Sequence, residues 1–471
     1  MEAETSLVQH EAVRPVLSKF AILRNVCVVS VVFLFLFTSF QSFQNLQSTL
    51  NKEEGLGPIT LAILYFSLIV SSLFLPSFLI AKFGCKWTLS FSILCYVVYM
   101  LANFWPMWAT LVPASVVIGI GAAPLWSAKS TYLSQLAKAY AGLTDRTGDD
   151  VNNLFFGIFF MTFQTSQIWG NIISSSIFKQ NIEEAEILNS SSLLCGASFN
   201  PSQSIETIGL KRPDDNKVQL LCWIYFGSSM LAFVIALFVT NTASDSQQDP
   251  GTSHGILFIE TFRHLCSSGY QKLLIPLTVY SGLEQGFISA DYTKSYISCT
   301  IGIWNIGYVM ICYGVTDAIL SLTFGALVKW VGHTPFFVLE DLAFDRIFNA
   351  VFLIAFIVHG GTQIFLLLWE PNNADYVIFF VIAGLWGMGD AVIQTQINAL
   401  YGDLFEDRRP AAFSNYRLWE SVGFIISFAY NSFFVTSVKI YVLMAFLTVG
   451  MTLYCVIEIN RYLERRRNAV V

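Results

Sequence analysis

Charged residues are scarce in this sequence and lie between long apolar runs, which limits the possible folds more than any other feature. Only 12% of the 471 residues are charged. We count twelve apolar runs, from Val26–Phe40 to Ile440–Ile457, and the shorter ones continue into Gly, Ser, Thr and Gln. Several approach the ~20 residues that a helix needs to cross ~30 Å of hydrocarbon. Because backbone groups in lipid must bond within their own segment, the runs predict an all-α polytopic membrane protein with twelve transmembrane helices.

The distribution of Lys and Arg predicts the orientation in the membrane. With both termini in the cytoplasm, the segments predicted to face the cytoplasm contain 17 basic residues and the outer segments contain 7. Cytoplasmic loops normally carry such an excess, so we expect both termini to lie in the cytoplasm. We also expect the protein to reside in the plasma membrane. The seven outer residues are Lys52, Lys179, Lys211, Arg212, Lys217, Lys294 and Lys439.

A polar, turn-rich segment divides the sequence into two predicted halves of six helices each. The segment ends in an amphipathic stretch, Ile256–Leu265, which we expect at the membrane surface. The predicted parts are a cytoplasmic tail (1–24), an N-terminal half (25–240) with a long outer loop (180–217), a cytoplasmic linker (241–271), a C-terminal half (272–459) and a basic cytoplasmic tail (460–471).

Short internal repeats support this division. Ser77–Gly84 and Gly325–Gly332 share a pattern of a small residue followed by a Gly seven positions later, and Gly119–Ala123 matches Gly387–Ala391. Parallel repeats about an axis normal to the membrane are the architecture of the major facilitator superfamily. The signature loop of that superfamily contains an Asp that helps to latch the halves. Neither copy here has this acid, and Ala81 stands in its place in the first copy, which argues against ordinary alternating-access transport.

Four ionisable residues fall at a similar depth within the predicted C-terminal half: Asp317, Asp390, Arg417 and Glu420. At helical rise they lie ~9–18 Å from the inner face, where charges facing lipid are costly. We therefore predict a buried charge cluster in which Arg417 pairs with Glu420 or Asp390. Two interpretations remain open, namely a network that fixes helix packing and a site for a cation or proton.

Other polar residues at membrane depth are candidates for lining a cavity between the halves. They are Gln41, Gln44, Lys129, Glu284, Gln394 and Asn398. The glutamines could equally stabilise helix packing. Lys129 could instead extend its ammonium group to the cytoplasmic interface.

Two cysteines and one asparagine stand out in the predicted outer loops. Cys195 and Cys299 are candidates for a disulfide that links the halves, and Cys222 is the competing partner. Asn189 begins an Asn-Ser-Ser glycosylation sequon in the long outer loop.

Motifs of soluble enzymes are absent from the sequence. It contains no His-Glu-x-x-His, no Gly-x-Ser-x-Gly and no P-loop, and its five histidines have no metal-ligand spacing. We therefore expect no catalytic residues, no metal, no cofactor and no nucleic-acid partner.

Several strings, spread over about residues 22–460, resemble the uncoordinated-93 (unc-93) family, and most closely its vertebrate A-type branch. They include Glu53–Gly57, Gly119–Ala128, Gln394–Gln396 and Asn415–Glu420. The resemblance implies a divergent branch of the major facilitator superfamily. The founding member of the family is described as a regulatory subunit of a two-pore potassium channel, and another branch escorts Toll-like receptors.

The sequence departs from the A-type pattern at Lys129 and Glu284, where uncharged Gln is expected. By resemblance we expect a non-enzymatic regulator or accessory subunit of a potassium channel, with membrane lipid and a channel or other membrane protein as partners. The alternative is a proton- or cation-coupled secondary transporter, which the charges of the C-terminal half favour.

Overall fold

The computed structural model describes residues 18–144, 146–179, 195–201, 212–238, 254–332, 340–405 and 408–468. Nearly all of this part is helical. The α-helices are α1 (Lys19–Leu50), α2 (Leu56–Ala102), α3 (Trp108–Ala141), α4 (Gly148–Phe178), α5 (Asp215–Ala236), α6 (His254–Ser267), α7 (Gly269–Gly286), α8 (Ile306–Gly332), α9 (Glu340–Leu368), α10 (Tyr376–Leu404), α11 (Arg409–Tyr430) and α12 (Thr436–Asn468). Helix α7 continues as a π-helix (Phe287–Ser298) and a last turn (Cys299–Ile301), and short 3-10 helices span Glu53–Gly55, Gly196–Ser198, Ile303–Asn305 and Asn373–Asp375.

The length and surface of the helices are those of an integral membrane protein. Eight helical segments among the described residues are long and apolar enough to cross a membrane. Large apolar side chains such as Phe66, Trp223 and Val377 are mostly exposed, which is favourable where the solvent is lipid. The number of twelve spans remains a prediction.

Helix α2 contains two of the predicted spans in one element. The direction of the chain changes at Gly84, whose φ of 75° lies in the left-handed region. Such a φ is readily accessible to Gly and costly for other residues. Gly84 therefore makes the turn between the two predicted spans.

The repeated glycines make the same helix crossing in both parts of the chain. A methyl group at Gly119 of α3 would lie 2.4 Å from the Leu64 carbonyl oxygen of α2. A methyl group at Gly387 of α10 would lie 2.5 Å from the Tyr313 carbonyl oxygen of α8. Only the absence of a side chain permits backbones to approach so closely.

Three pairs of helices join α1–α5, which we call the N-terminal half, to α7–α12, the C-terminal half. Helix α2 packs on α11, α4 packs on α8, and α1 packs on the π-helix that follows α7. The π-helix is buried along its whole length, so the halves are in close contact at the end predicted to face outside. At the other end α6 packs on α2, α7 and α11, and Asn415 donates a hydrogen bond to the Thr261 carbonyl at 3.0 Å.

Candidate functional site

Two acidic side chains, Glu284 of α7 and Asp390 of α10, lie side by side inside the C-terminal half. They are 0% and 4% exposed. Trp386 Nε1 donates to Glu284 Oε2 at 2.7 Å, and the Tyr313 hydroxyl donates to Asp390 Oδ2 at 2.5 Å. The two carboxyl groups also interact with each other electrostatically. Glu284 was predicted to line a cavity, but its burial makes it part of the acid cluster instead.

Asp317 lies at the contact between the halves rather than among the other predicted members of the cluster. Its Oδ2 accepts a hydrogen bond from Gln164 Nε2 of α4 at 3.0 Å, and its Oδ1 accepts one from Ser321 at 3.1 Å. Both carboxylate oxygens therefore have donors. Asp317 links α8 to the N-terminal half, while it still interacts electrostatically with Asp390.

Arg417 and Glu420 form an ion pair on α11. Arg417 Nη1 lies 2.7 Å from Glu420 Oε2, and their spacing of three residues places both on one helix face. Glu420 Oε1 accepts from the Tyr416 hydroxyl at 2.8 Å, and Gln394 Nε2 lies 3.4 Å away. The Arg417 side chain is 62% exposed, whereas that of Glu420 is buried. Arg417 also interacts electrostatically with Lys129 of α3, in the other half.

Lys129 is enclosed by aromatic rings. Its Nζ lies 5.0 Å from the ring centre of Trp126, 5.2 Å from Phe156, 4.5 Å from Phe159 and 5.1 Å from Phe160. The residue is 2% exposed and forms no ion pair within the described ranges. Lys129 therefore neither extends to the cytoplasmic interface nor lines an open cavity, because the negative faces of the four rings hold its ammonium group inside.

The predicted cavity-lining amides are partly buried and bonded to neighbouring groups. Gln41 accepts from Ser166 of α4 at 2.8 Å, and Gln44 bonds to Tyr65 of α2. In the C-terminal half, Gln394 donates to Ser281 at 2.8 Å. Contacts between different helices stabilise packing, which is the alternative that the sequence analysis left open.

Asn398 differs from these amides because its Nδ2 bonds to a carbonyl of its own helix. The acceptor is the Gln394 backbone oxygen, at 2.7 Å.

A second ion-pair network, which the sequence analysis missed, lies where the π-helix meets α12. Lys439 Nζ is 2.5 Å from Asp291 Oδ1, and both side chains are buried. Asn431 Nδ2 donates to the same oxygen at 2.7 Å. Lys294, also buried, interacts electrostatically with Asp291.

The assignment of Lys294 and Lys439 to outer loops was therefore wrong, because the helices extend beyond the apolar runs. The available signal was the spacing of Asp291 and Lys294, which places opposite charges three residues apart on one helix.

A short segment of the N-terminal half, residues 195–201, packs on the outer end of the C-terminal half, and we call it the outer clasp. Cys195 and Cys299 are joined in a disulfide with a Cα–Cα distance of 5.7 Å. The Phe199 carbonyl accepts a hydrogen bond from the Thr436 backbone amide at 3.0 Å. A covalent bond and backbone hydrogen bonding thus hold the two halves together at this end.

The other predicted sites are placed as follows. Cys222, the competing disulfide partner, is a buried free thiol 3.6 Å from the Asn103 carbonyl oxygen. Asn189 lies outside the described residues. Within those residues, no group of three or more His, Cys, Asp or Glu side chains is arranged to hold a metal ion.

Comparisons with known proteins identify the family and the fold. Residues 47–455 match the family model described as "Ion channel regulatory protein UNC-93". "Protein unc-93 homolog A" of Xenopus laevis is 44% identical over 454 residues, which cover 95% of each chain. The "Putative potassium channel regulatory protein unc-93" of Caenorhabditis elegans is 36% identical over 93% of this chain and 61% of its own length.

A crystal structure of a mutant nucleoside transporter NupG superposes with a TM-score of 0.61, covering 92% of this chain and 98% of that one at 12% identity. The likeness shows the fold of the major facilitator superfamily. From the length of the family match and the identity to its members, this chain belongs to the UNC-93 family.

Proposed function

We propose that the protein is a non-enzymatic membrane subunit that regulates a potassium channel. The observation that carries this proposal is the 36% identity, over 93% of this chain, to a relative named as a putative potassium channel regulatory protein. The description of the matching family as an ion channel regulatory protein supports the same function.

The way in which the halves are joined supports a regulatory role. Ala81 occupies the place of the acid that latches the halves in the superfamily signature. At the outer end the halves are connected by the Cys195–Cys299 disulfide and by the packing of α1 on the π-helix. A subunit that binds and modulates a channel needs a defined shape rather than a transport cycle. These contacts favour a single arrangement of the two halves relative to each other.

The remaining features of the proposal concern topology and location. We infer a plasma-membrane protein with cytoplasmic termini, two halves of six spans at 25–240 and 272–459, and a glycan on Asn189. The relocation of Lys294 and Lys439 from loops into helices increases the predicted excess of basic residues on the cytoplasmic side.

The test is to record currents from a panel of potassium channels expressed with and without the protein, at matched surface levels of each channel. We expect the current of at least one channel to change. The nucleoside transporter NupG, which shares the fold, controls for crowding of the membrane when it is expressed at the same level. Unchanged currents across the panel would contradict the proposal.

Transport is the second candidate, and the acidic pair of Glu284 and Asp390 inside the C-terminal half favours it. The purified protein in liposomes, with a pH gradient imposed, tests this function separately. Solute uptake or proton flux by the protein alone would favour transport, whereas altered channel current without flux would favour regulation.

A further inference from the structure

The acidic pair of α7 and α10 contains two oxygen atoms that lack a donor. Each carboxyl group has one oxygen bonded to a neutral donor, Trp386 for Glu284 and Tyr313 for Asp390. The other two oxygens, Glu284 Oε1 and Asp390 Oδ1, are fully buried and have no donor among the described residues. Trp386, which donates to Glu284, lies four residues before Asp390 on α10, so that Trp386 and Asp390 share one helix face beside Glu284. The two acidic side chains also interact electrostatically. Two ionised carboxylates in this position would repel each other strongly, because water does not reach them to screen the charges.

We propose that Glu284 and Asp390 form a proton-binding site in which one proton is shared between Glu284 Oε1 and Asp390 Oδ1. A single proton gives both oxygens a hydrogen bond and leaves one negative charge on the pair. Neighbouring carboxyl groups elsewhere share a proton for the same reason. A metal ion fits poorly, since the described residues offer two acidic side chains here and no third His, Cys, Asp or Glu ligand.

Among the described residues around the pair, no cation takes the place of the proton. His359 of α9 packs against Trp386, and its Nε2 lies 3.0 Å from the Trp386 carbonyl oxygen. A carbonyl only accepts, so Nε2 carries hydrogen and Nδ1 is free to accept from the Tyr280 hydroxyl at 2.7 Å. This arrangement is satisfied by the neutral imidazole.

Among the described residues, the charged groups that interact with the pair, Asp317 and Glu420, each have another partner. The elements packed on α7 and α10 also carry Tyr313 of α8, Tyr416 and Arg417 of α11, Asp291 and Lys294 of the π-helix, Lys439 and Glu458 at the two ends of α12, and Arg263 and His264 of α6. Asp317 is the informative contrast, because both of its oxygens accept hydrogen bonds from neutral donors. Neither oxygen of Asp317 is therefore left without a donor.

Loss of the proton would change the packing of α7 against α10. Just beyond the end of α7, Phe287 of the π-helix stacks on Trp386 of α10, with ring centres 5.3 Å apart. Two adjacent negative charges in this dry contact favour separation of the helices or rotation of the side chains. The site thus makes the arrangement of the C-terminal half depend on proton binding.

The test is infrared spectroscopy of the purified full-length protein in lipid nanodiscs. We expect the wild type at neutral pH to show the carbonyl band of a protonated carboxylic acid. Glu284→Gln and Asp390→Asn should each remove one such group, because the new amide donates to the remaining carboxylate. Glu458→Gln is the matched control, since Glu458 is paired with Arg461 and should contribute no protonated band.

Absence of the band from the wild type at neutral pH would overturn the proposal, whether or not the variants fold. Its persistence in both folded variants would also overturn it. The measurement involves no channel, so its failure is distinct from failure of the proposed function.

Discussion

Removal of the carboxylate of Asp291 should destabilise the protein more than removal of its partner Lys439. In the described structure Asp291 is the acid beside two buried cations, Lys439 at 2.5 Å and Lys294 through electrostatic interaction. The three side chains together carry a net charge of +1, from two lysines and one aspartate. Asp291→Asn raises this buried charge to +2, whereas Lys439→Met lowers it to zero.

The expected magnitude follows from the burial of the pair. Breaking a buried ion pair by removing one partner costs about 3–5 kcal/mol, because the other charge is left uncompensated. Asp291→Asn should lie at the upper end of this range, since two cations lose their counter-charge. Lys439→Met should lie at or below the lower end, since Lys294 can then pair with Asp291, whose Oδ2 has no other hydrogen-bond partner in the described structure.

Thermal unfolding of the purified variants, in one detergent and at one pH, provides the measurement. We expect the melting temperature to fall in the order wild type, Lys439→Met, Asp291→Asn. The double variant Asp291→Asn/Lys439→Met should melt above Asp291→Asn alone, because it removes one of the two unpaired cations. A double variant less stable than Asp291→Asn, or Lys439→Met as damaging as Asp291→Asn, would refute the reasoning.

Four further predictions concern other parts of the molecule. Gly423→Ala should sharply reduce surface expression, because its methyl group would lie 2.2 Å from a carbonyl oxygen of α7, whereas Gly227→Ala, with nothing within 4 Å, should be neutral in the same assay. Lys129→Met should keep or raise the melting temperature, since a linear apolar chain fills the aromatic enclosure without burying a charge; a large fall would contradict this. Burial lowers the pKa of His264, so protonation disfavours the docked helix, and hydrogen exchange of α6 should increase as pH falls from about 7.5 to 5.5, an increase that His264→Phe should abolish. Cys195→Ser should free the thiol of its partner for alkylation and lower the melting temperature; an unchanged melting temperature would show that the clasp contributes little to stability.

The sequence predicted the helices well and the side-chain partners less well. Apolar runs predict helices reliably because lipid leaves the backbone few alternatives. The pair of Arg417 and Glu420 follows from their spacing on one helix. Depth along a helix does not indicate which way a side chain points, however. Asp317 and Asp390 have similar depths, but Asp317 bonds to Gln164 of the other half.

Residues at the ends of the apolar runs were the least predictable. Asp291, Lys294 and Lys439 interrupt the apolar pattern, and for that reason the two lysines were assigned to loops and the aspartate was overlooked. In the structure Asp291 offsets part of the charge of the two lysines inside helices, which the hydropathy of single residues does not reveal. Lys129 was misplaced for a related reason, since its stabilising partners are aromatic rings that count as apolar in the sequence.

The repeated glycine crossing has the same kind of backbone contact in both halves but different side chains beside it. When the two motifs are aligned, with Gly119 on Gly387, Asp390 falls on Ala122 of α3. Both positions are buried next to the same kind of helix contact, yet one holds a carboxyl group and the other a methyl group. The two helix crossings therefore share a close backbone contact, whereas only the crossing in the C-terminal half has an acid at this position. Replacing Ala122 by Asp would show whether the geometry alone can support a buried acid.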